Sequence, residues 1–332
     1  MKGRMSIALT VGIIVAAAAL IVLTARYQPK LPGVNSVAMR AKPVKPPSQA
    51  AEKKEALAVR FTPPPESAMP KKEFGQSVQL GRDIFIHTER YAGQYYGTTN
   101  MNCSSCHLDA GRLANAAPLW AAYVSYPAYR SKNKKVNTFA SRMQGCFKYS
   151  MNGTAPPLGD PVLIALETYA YWLATGAPID PKIKGRGYPK VPKPSLSPDY
   201  TRGQQVFEQH CAVCHGADGG GQVDATGQPN FPALWGAKSF NWGAGMGSLK
   251  NASGFIKTNM PLGLGGTLSD QQAWDVAQFM NSHERPQDPR YKGSIAATRA
   301  EYHDSPNDLY GTTVNGHLLG AGTSPTKSEV AP

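Results

Sequence analysis

The fold of this chain follows from two pentapeptides, Cys103-Ser104-Ser105-Cys106-His107 and Cys211-Ala212-Val213-Cys214-His215. Cys-x-x-Cys-His is the attachment signature of c-type haem, in which two thiols bond to the vinyl groups of one porphyrin and the adjacent imidazole binds the iron. A zinc or redox Cys-x-x-Cys pair is the alternative, but a histidine directly after both pairs disfavours it. The sequence therefore predicts a dihaem cytochrome with two covalently attached haem c groups.

The N-terminus has the pattern of an export signal. Lys2 and Arg4 precede an almost uncharged apolar run over residues 5–25, which ends before Arg26. The run is long enough to span a bilayer, and no clear small-x-small cleavage site follows it. We expect an uncleaved transmembrane anchor over residues 1–26, with the haem domains on the periplasmic side of the cytoplasmic membrane. Cleavage, which would release a periplasmic form, is the alternative.

Proline-rich segments divide the remaining chain. A Pro/Lys-rich linker is predicted over residues 27–73, because its composition cannot bury enough apolar surface to fold alone. A second proline-rich run predicts an interdomain linker over 177–198. Two cytochrome c domains are then expected over 74–176 and 199–285, one for each haem, followed by a C-terminal extension over 286–332 whose role the sequence leaves open.

An internal repeat supports two similar domains. Gly81 and Phe85 precede the first haem motif with the same spacing as Gly203 and Phe207 before the second. Each pair predicts a helix that leads into the attachment site. In the first half a longer loop separates this helix from the motif, which indicates an insertion near the first haem.

Each half also ends in a helix with clear start signals. Asp160 is a predicted N-cap, Pro161 stands at the first helical position and Gly176 marks the end. Ser269 with Gln272 three residues later is a capping-box pattern. The order in both halves is helix, haem motif, loops, distal ligand and helix. We therefore predict a mainly α protein with two class I cytochrome c domains in tandem, besides the N-terminal transmembrane helix.

The distal ligands are expected just before the closing helices. In the second half Met260, followed by proline, is the strongest candidate, with Met246 and Met280 as alternatives. In the first half the corresponding segment contains Met143, Cys146 and Met151 at comparable places. Cys146 is the one cysteine outside the haem motifs. It is either a buried free thiol or a distal ligand, and spacing alone does not decide.

Charge is distributed unevenly. The net charge is +13, but export and covalent haem disfavour nucleic acid as a partner. Between Asp109 and Asp160 there is no acidic residue, whereas seven basic residues fall in this interval: Arg112, Arg130, Lys132, Lys134, Lys135, Arg142 and Lys148. This interval predicts attraction of an anionic substrate, although some of these cations, Lys134 and Lys135 above all, are expected to be solvated surface residues.

Two further motifs resemble those of the thiosulfate dehydrogenase family, dihaem cytochromes c that join two thiosulfate ions into tetrathionate. Residues 142–153 fit R-x-x-x-C-F-x-x-S-M-N-G, and residues 281–289 contain N-S-H followed by R-P-Q-D-P. With both haem motifs, the resemblance covers about residues 74–289. It implies an oxidoreductase that acts on sulfur compounds.

The resemblance also implies ligand and substrate roles. The catalytic haem would be ligated by His107 and Cys146. The second haem, ligated by His215 and Met260, would pass electrons to an external acceptor such as a small cytochrome c. Arg142 and Ser150 correspond to the family's substrate-site arginine and serine. Some members place a lysine beside the second haem's methionine, where this chain has Asn259.

Simple chemistry extends this prediction. Bringing two thiosulfate dianions together is opposed by Coulomb repulsion, which Arg130, Lys132 and Arg142 are expected to offset. We expect a transient sulfur adduct on Cys146. Three alternatives remain: a non-catalytic electron carrier, a Sox-type cytochrome that loads sulfur onto a carrier protein, and the same site acting mainly as a tetrathionate reductase.

Overall fold

Two crossed helix pairs, one in each half of the chain, frame the protein. The structure is a computed structural model that describes residues 61–130, 133–179 and 183–323. The expected N-terminal anchor, most of the first linker and Lys132 lie outside the described residues. Across the part of the chain that the structure covers, no helix has the length and apolar character needed to cross a bilayer.

Between residues 61 and 179, as far as the structure describes them, there are six α-helices and a two-stranded antiparallel sheet. The helices are α1 (Lys72–Ile86), α2 (Thr88–Ala92), α3 (Leu108–Gly111), α4 (Leu119–Tyr123), α5 (Phe139–Gly145) and α6 (Pro161–Leu173). A π-helix over Cys146–Ser150 continues α5, and short 3-10 helices cover Glu66–Ala68, Gly93–Tyr95 and Cys103–Ser105. The strands β1 (Ala128–Arg130) and β2 (Lys135–Asn137) pair with Tyr129 opposite Val136.

The second half repeats the helical frame and adds the C-terminal extension. Its helices are α7 (Tyr200–His210), α8 (Ala212–His215), α9 (Leu249–Asn259), α10 (Asp270–Asn281) and α11 (Ile295–Tyr302). A 3-10 helix covers Gly245–Gly247. Two small antiparallel sheets pair β3 (Gln222–Val223) with β4 (Pro229–Phe231), and β5 (Thr313–Val314) with β6 (His317–Leu318).

The predicted start signals of the closing helices are confirmed. The Asp160 carboxylate accepts a hydrogen bond from Val162 N at 2.8 Å, and Pro161 is the first residue of α6. Ser269 and Gln272 form the predicted capping box at the start of α10, with bonds of 3.1 and 2.8 Å. These side chains satisfy backbone N–H groups that have no partner inside the helix, so they set where each helix begins.

A glycine lets the two helices of each pair approach closely. A Cβ at Gly81 of α1 would overlap the carbonyl oxygen of Ala165 on α6, and a Cβ at Gly203 of α7 would overlap that of Asp275 on α10. Phenylalanine one turn later packs on the partner helix in both halves. The ring centroids of Phe85 and Tyr169 are 6.1 Å apart, and Phe207 lies 5.3 Å from Phe279. The glycine and phenylalanine that repeat in the sequence therefore mark the point where the two helices of each pair cross.

Gly203→Ala should destabilise the protein, because the added methyl group has to push α7 away from α10. We expect the free energy of unfolding to fall by about 1–3 kcal/mol, measured by urea denaturation of the haem-loaded protein. Gly93→Ala is the matched control: it has φ near −54° and no atom within 4 Å of its Cβ position, so it should be neutral or slightly stabilising. Equal stability of the two variants would contradict this account of the crossing.

The predicted linkers and the extension pack on the domains. Phe61 lies 5.1 Å from the ring of Trp120, so the end of the first linker covers the first core. In the interdomain linker, Tyr188 packs edge-on against Phe255 of α9 at 5.4 Å. Tyr310 and Leu319 of the extension are fully buried in the second core. The described residues thus form one compact unit with two apolar cores.

The second resemblance motif is structural in this chain. Arg285 is fully buried and donates to the carbonyl of Met280 at the end of α10, at 3.1 Å. Its guanidinium lies 4.2 Å from the Phe240 ring, a favourable cation–π distance. Nδ1 of His283 donates to the Phe279 carbonyl at 2.8 Å, and the ring stacks on Trp235 at 4.2 Å. These contacts give His283 a structural role.

Candidate active site

The first haem motif is held by the insertion that precedes it. Cys103 begins a 3-10 helix whose N-cap, Asn102, forms a capping box with Ser105. Thr88, fully buried at the start of α2, donates its backbone N–H to Asn102 at 2.8 Å. Its hydroxyl accepts the N–H of Cys103 at 3.1 Å. The insertion was predicted from the sequence but Thr88 was not, since an isolated threonine in a loop carries no signal.

Both histidines that are predicted as proximal ligands are oriented by a backbone carbonyl. Nδ1 of His107 lies 2.6 Å from the Ala117 oxygen, and Nδ1 of His215 lies 2.9 Å from the Pro232 oxygen. A bond at Nδ1 fixes the ring and leaves Nε2 for a metal. Each carbonyl stands three residues before a tryptophan in Leu-Trp, at Trp120 and Trp235. This repeated pattern was missed in the sequence analysis and could have identified both partners.

The surroundings of the two imidazoles also suit haem iron. Burial lowers the pKa of His107 to about 4, and burial likewise lowers the pKa of His215. Both rings are therefore neutral at pH 7, which is the form that binds a metal. None of the five cysteines, all of which the structure describes, is in a disulfide, so the four motif thiols are available for thioether bonds.

The second haem motif opens onto a mostly apolar cavity of about 590 Å³. Cys211, Cys214 and His215 lie on its wall, and Met260, the C-cap of α9, lies there too. The alternatives Met246 and Met280 line the same cavity. A histidine, two thiols and thioether sulfurs around apolar walls are the donor set that haem c requires. Cys106 of the first motif also reaches this wall, so the two haem sites adjoin.

A second cavity, of about 440 Å³, is cationic. His107, Arg130, Arg142 and Met143 lie on its wall. Arg130 Nη1 donates to the hydroxyl of Tyr126 at 2.6 Å. The structure therefore brings together the first proximal histidine and two of the predicted substrate cations. Lys132, the third, lies outside the described residues.

Arg186 lines this cavity as well and was not predicted. It stands between Gly185 and Gly187 in the interdomain linker, a segment that we had interpreted only as a spacer. The linker is bound to the haem-1 loop by two backbone hydrogen bonds, from Asn115 N to Gly185 O at 2.6 Å and from Ala117 N to Gly187 O at 2.9 Å. The linker is thus a wall of the cavity.

The three candidate distal sulfurs of the first half have different surroundings. Met143 and Met151 are buried in the first core, 8% and 4% exposed. Cys146 is half-buried at the start of the π-helix and accepts a hydrogen bond from Arg142 Nη1 at 3.0 Å. Of these three sulfurs, Cys146 is the one that receives a bond from a cationic donor.

Arg142 connects Cys146 to the cationic cavity. The negative charge that a Cys146 thiolate carries raises the pKa of Arg142, outweighing its burial. Cys146 and Ser150 are not themselves among the residues on the wall of the 440 Å³ cavity. Ser150 is half-buried at the last position of the π-helix. Arg142 is therefore the predicted side chain that contacts both the sulfur and the cavity.

Comparison with protein families matches each half separately. Residues 90–179 match the family described as SoxA/TsdA, cytochrome c domain, and residues 200–284 match the family described as Cytochrome c. Both halves are thus cytochrome c domains, and the chain carries two covalently bound haem c groups. The predicted fold class is confirmed for these domains.

Individual relatives are more specific. The chain is 60% identical to a thiosulfate dehydrogenase of Thiomonas intermedia (strain K12) over 84% of this chain and 88% of the relative. It is 54% identical to a thiosulfate dehydrogenase of Stutzerimonas stutzeri (strain A1501), over 79% and 85%. Among solved structures, the as-isolated form of thiosulfate dehydrogenase (TsdBA) from Marichromatium purpuratum is similar, with a TM-score of 0.76 and 49% identity. That match covers 80% of this chain but 59% of the other.

Proposed function

The chain belongs to the thiosulfate dehydrogenase family, and from this membership we propose that it oxidises two thiosulfate ions to tetrathionate at a haem ligated by His107 and Cys146. The electrons leave through the haem ligated by His215 and Met260. The observation that carries the proposal is the contact of 3.0 Å between Arg142 Nη1 and Cys146 Sγ. Through this contact the nucleophilic sulfur of Cys146 is hydrogen-bonded to the arginine that lines the cationic cavity.

Arg142 has two roles in this proposal, one electrostatic and one geometric. Its guanidinium stabilises negative charge on the Cys146 sulfur, and its planar fork is suited to an oxyanion such as the sulfonate end of thiosulfate. Arg130 lies on the same cavity and adds a second positive charge. Together they offset the repulsion between two dianions. Ser150, at the end of the same π-helix, remains a predicted neutral donor, and Lys132 remains a predicted third cation.

The chemistry balances in two steps. First, the terminal sulfur of one thiosulfate bonds to Cys146 Sγ, giving a protein-bound S–S–SO₃⁻ adduct as two electrons leave. Then the terminal sulfur of a second thiosulfate attacks the adduct, the new central S–S bond of tetrathionate forms, and Cys146 departs as thiolate. When bound, the haems accept the two electrons, one each, and methionine ligation raises the potential of the second so that electrons run towards it.

Location and acceptor complete the proposal. The apolar run over residues 5–25 would anchor the protein in the cytoplasmic membrane, with the haem domains in the periplasm, and this is supported by the export-type pattern of the sequence. A small cytochrome c would take electrons from the second haem. Two exposed apolar side chains of this protein lie beside the second haem site: Val213, 80% exposed between the two haem-binding cysteines, and Leu262, 62% exposed after Met260. They support contact with such a partner there.

The test is an assay of the haem-loaded full chain with thiosulfate and an artificial one-electron acceptor. We expect tetrathionate with two electrons transferred per molecule, and a magnetic-resonance signal of thiolate-ligated low-spin haem. Haems that accept electrons from a chemical reductant while no tetrathionate forms would instead identify a non-catalytic carrier. Sulfur transferred only to a carrier protein would identify Sox-type chemistry, and a faster reverse reaction would favour a tetrathionate reductase.

Arg186→Ala should weaken thiosulfate binding without changing the chemical step. Arg186 lines the cationic cavity from the linker, whereas Arg142 contacts the reacting sulfur. Loss of one charge-assisted contact is expected to raise KM about tenfold with kcat nearly unchanged, measured by steady-state kinetics. Arg90→Ala, an exposed arginine of α2 away from this cavity wall, is the control. An unchanged KM in Arg186→Ala would remove the linker from the binding site.

A further inference from the structure

A buried asparagine of the second half reaches across to the π-helix that begins with Cys146. Asn241 is 0% exposed. Its Nδ2 donates to the carbonyl of Lys148 at 2.9 Å and to the side-chain oxygen of Asn152 at 3.0 Å, and its backbone N–H donates to the carbonyl of Tyr149 at 3.1 Å. Its Oδ1 accepts Gly243 N at 3.0 Å, which closes a local turn.

These bonds complete the carbonyl pairing of the π-helix. The last carbonyls of any helix have no partner within it and need one from elsewhere. The Cys146 carbonyl accepts from Met151 N at 3.0 Å, and the Phe147 carbonyl accepts from Gly153 N at 2.9 Å. The next two carbonyls, of Lys148 and Tyr149, are the ones that Asn241 takes. The first half therefore supplies two of these four partners, and one residue of the second half supplies the other two.

The C-terminal extension also contacts the π-helix, at Tyr149. The guanidinium of Arg290 lies 5.0 Å from the centroid of the Tyr149 ring. Asp288 holds Arg290 in an ion pair of 2.6 Å and also contacts His303 at 3.0 Å. The Tyr149 ring also lies against Gly243, where an added Cβ would be 2.5 Å from Cδ1. Tyr149 is thus fixed from the second half through its backbone and its side chain.

We infer that Asn241 is a positioning residue that sets the orientation of Cys146 at the first haem. Asn241 fixes the end of the π-helix, and because Cys146 is the first residue of that helix, its position is fixed too. The distal ligation of the first haem therefore depends on the domain that carries the second haem. This inference rests on the proposed function, because it takes Cys146 as the distal ligand. It also gives the second domain a structural part in the catalytic site besides electron transfer.

The test compares three variants of the haem-loaded full chain. Asn241→Ala removes both donated side-chain bonds. Asn241→Ser is milder, because a serine hydroxyl can still accept Gly243 N but is too short to reach the Lys148 carbonyl. Asn100→Ala is the matched control: the Asn100 side chain also makes two bonds to the second half, to Gly220 O at 3.2 Å and from Ala233 N at 2.8 Å, but none to the π-helix.

Two readouts separate positioning from folding. We expect both Asn241 variants to keep two haems while the thiolate-type signal of the first haem splits or weakens and its reduction potential shifts. Tetrathionate formation should fall about 10- to 100-fold, the usual effect of removing a group that orients a metal ligand. Asn100→Ala should keep the wild-type signal and potential of the first haem.

The outcomes are distinguishable. A wild-type signal and rate in both Asn241 variants would overturn the inference, and so would loss of a haem from Asn241→Ser, which would make Asn241 a folding residue only. Cys146→Gly tells which proposal fails. If it leaves the signal of the first haem unchanged, Cys146 is not the ligand and the proposed function falls. If it removes the signal while the Asn241 variants retain it, only the role of Asn241 is wrong.

Discussion

Cys146→Gly is expected to abolish tetrathionate formation while both haems stay attached. The variant removes the sulfur that bonds to the first thiosulfate, but it leaves the thioether cysteines and both proximal histidines untouched. Loss of a nucleophile that acts together with its partners lowers the rate by at least about 10⁴-fold. The measurement is tetrathionate production with an artificial acceptor, beside a haem stain and the absorption spectrum of the same preparation.

Met143→Leu is the matched control for this variant. Met143 is a buried sulfur on the cavity wall, and leucine has nearly the same volume, so the core should be retained at a cost below about 1.5 kcal/mol. We expect normal activity and an unchanged spectrum of the first haem. Full activity in Cys146→Gly, together with an altered spectrum in Met143→Leu, would transfer the distal role to Met143 and overturn the proposed role of Cys146.

Arg142→Met is expected to lower the rate about 100- to 1000-fold, the effect of removing one preorganised donor from developing charge. Methionine keeps an unbranched apolar stem but loses the bond of 3.0 Å to Cys146 Sγ and one cation of the cavity. Because that cation acts on the reacting sulfur, kcat should fall as well as kcat/KM, in contrast to Arg186→Ala. Steady-state kinetics over a range of thiosulfate concentrations measures both.

Arg142→Lys tests charge against geometry. Lysine keeps a positive charge but not the planar fork, so an intermediate rate is expected if the arginine also orients a sulfonate. A rate in Arg142→Met equal to wild type would exclude this residue from the chemistry. The electrostatic argument for the site would then have to rest on Arg130, on Arg186 and on Lys132, which lies outside the described residues.

Much of the helical framework could be predicted from the sequence, because local contacts determine where its helices begin. Asp160, Ser269 and Gln272 cap their helices by contacts within three residues, and the structure confirms them. The matching of Gly81 with Gly203 was visible as a spacing, and it proved to mark the same helix crossing in both halves. It was not predictable that both linkers and the extension pack on the two cores. Proline-rich or irregular segments carry no periodic pattern that shows which surface they cover.

The candidate site divides in the same way. His107 and Cys146 were predicted as site residues from motifs, whereas Thr88, Arg186 and Asn241 were not. Thr88 and Asn241 bond to residues 14 to 93 positions away, and Arg186 lines a cavity that it shares with residues of the first half. A single polar residue in a loop does not indicate such a neighbour.

By itself, the sequence determined the number of haems and the two helical frames around them, and it predicted the proximal ligands. These follow from covalent chemistry and from spacings of a few residues, which any compact fold of the chain must respect. The tertiary structure alone decided that the Ala117 carbonyl orients His107, that the linker brings Arg186 to the cavity, and that Asn241 pairs the carbonyls after Cys146. The physical reason is that buried hydrogen-bonding groups must find partners wherever packing brings them, and packing joins residues that the sequence keeps apart.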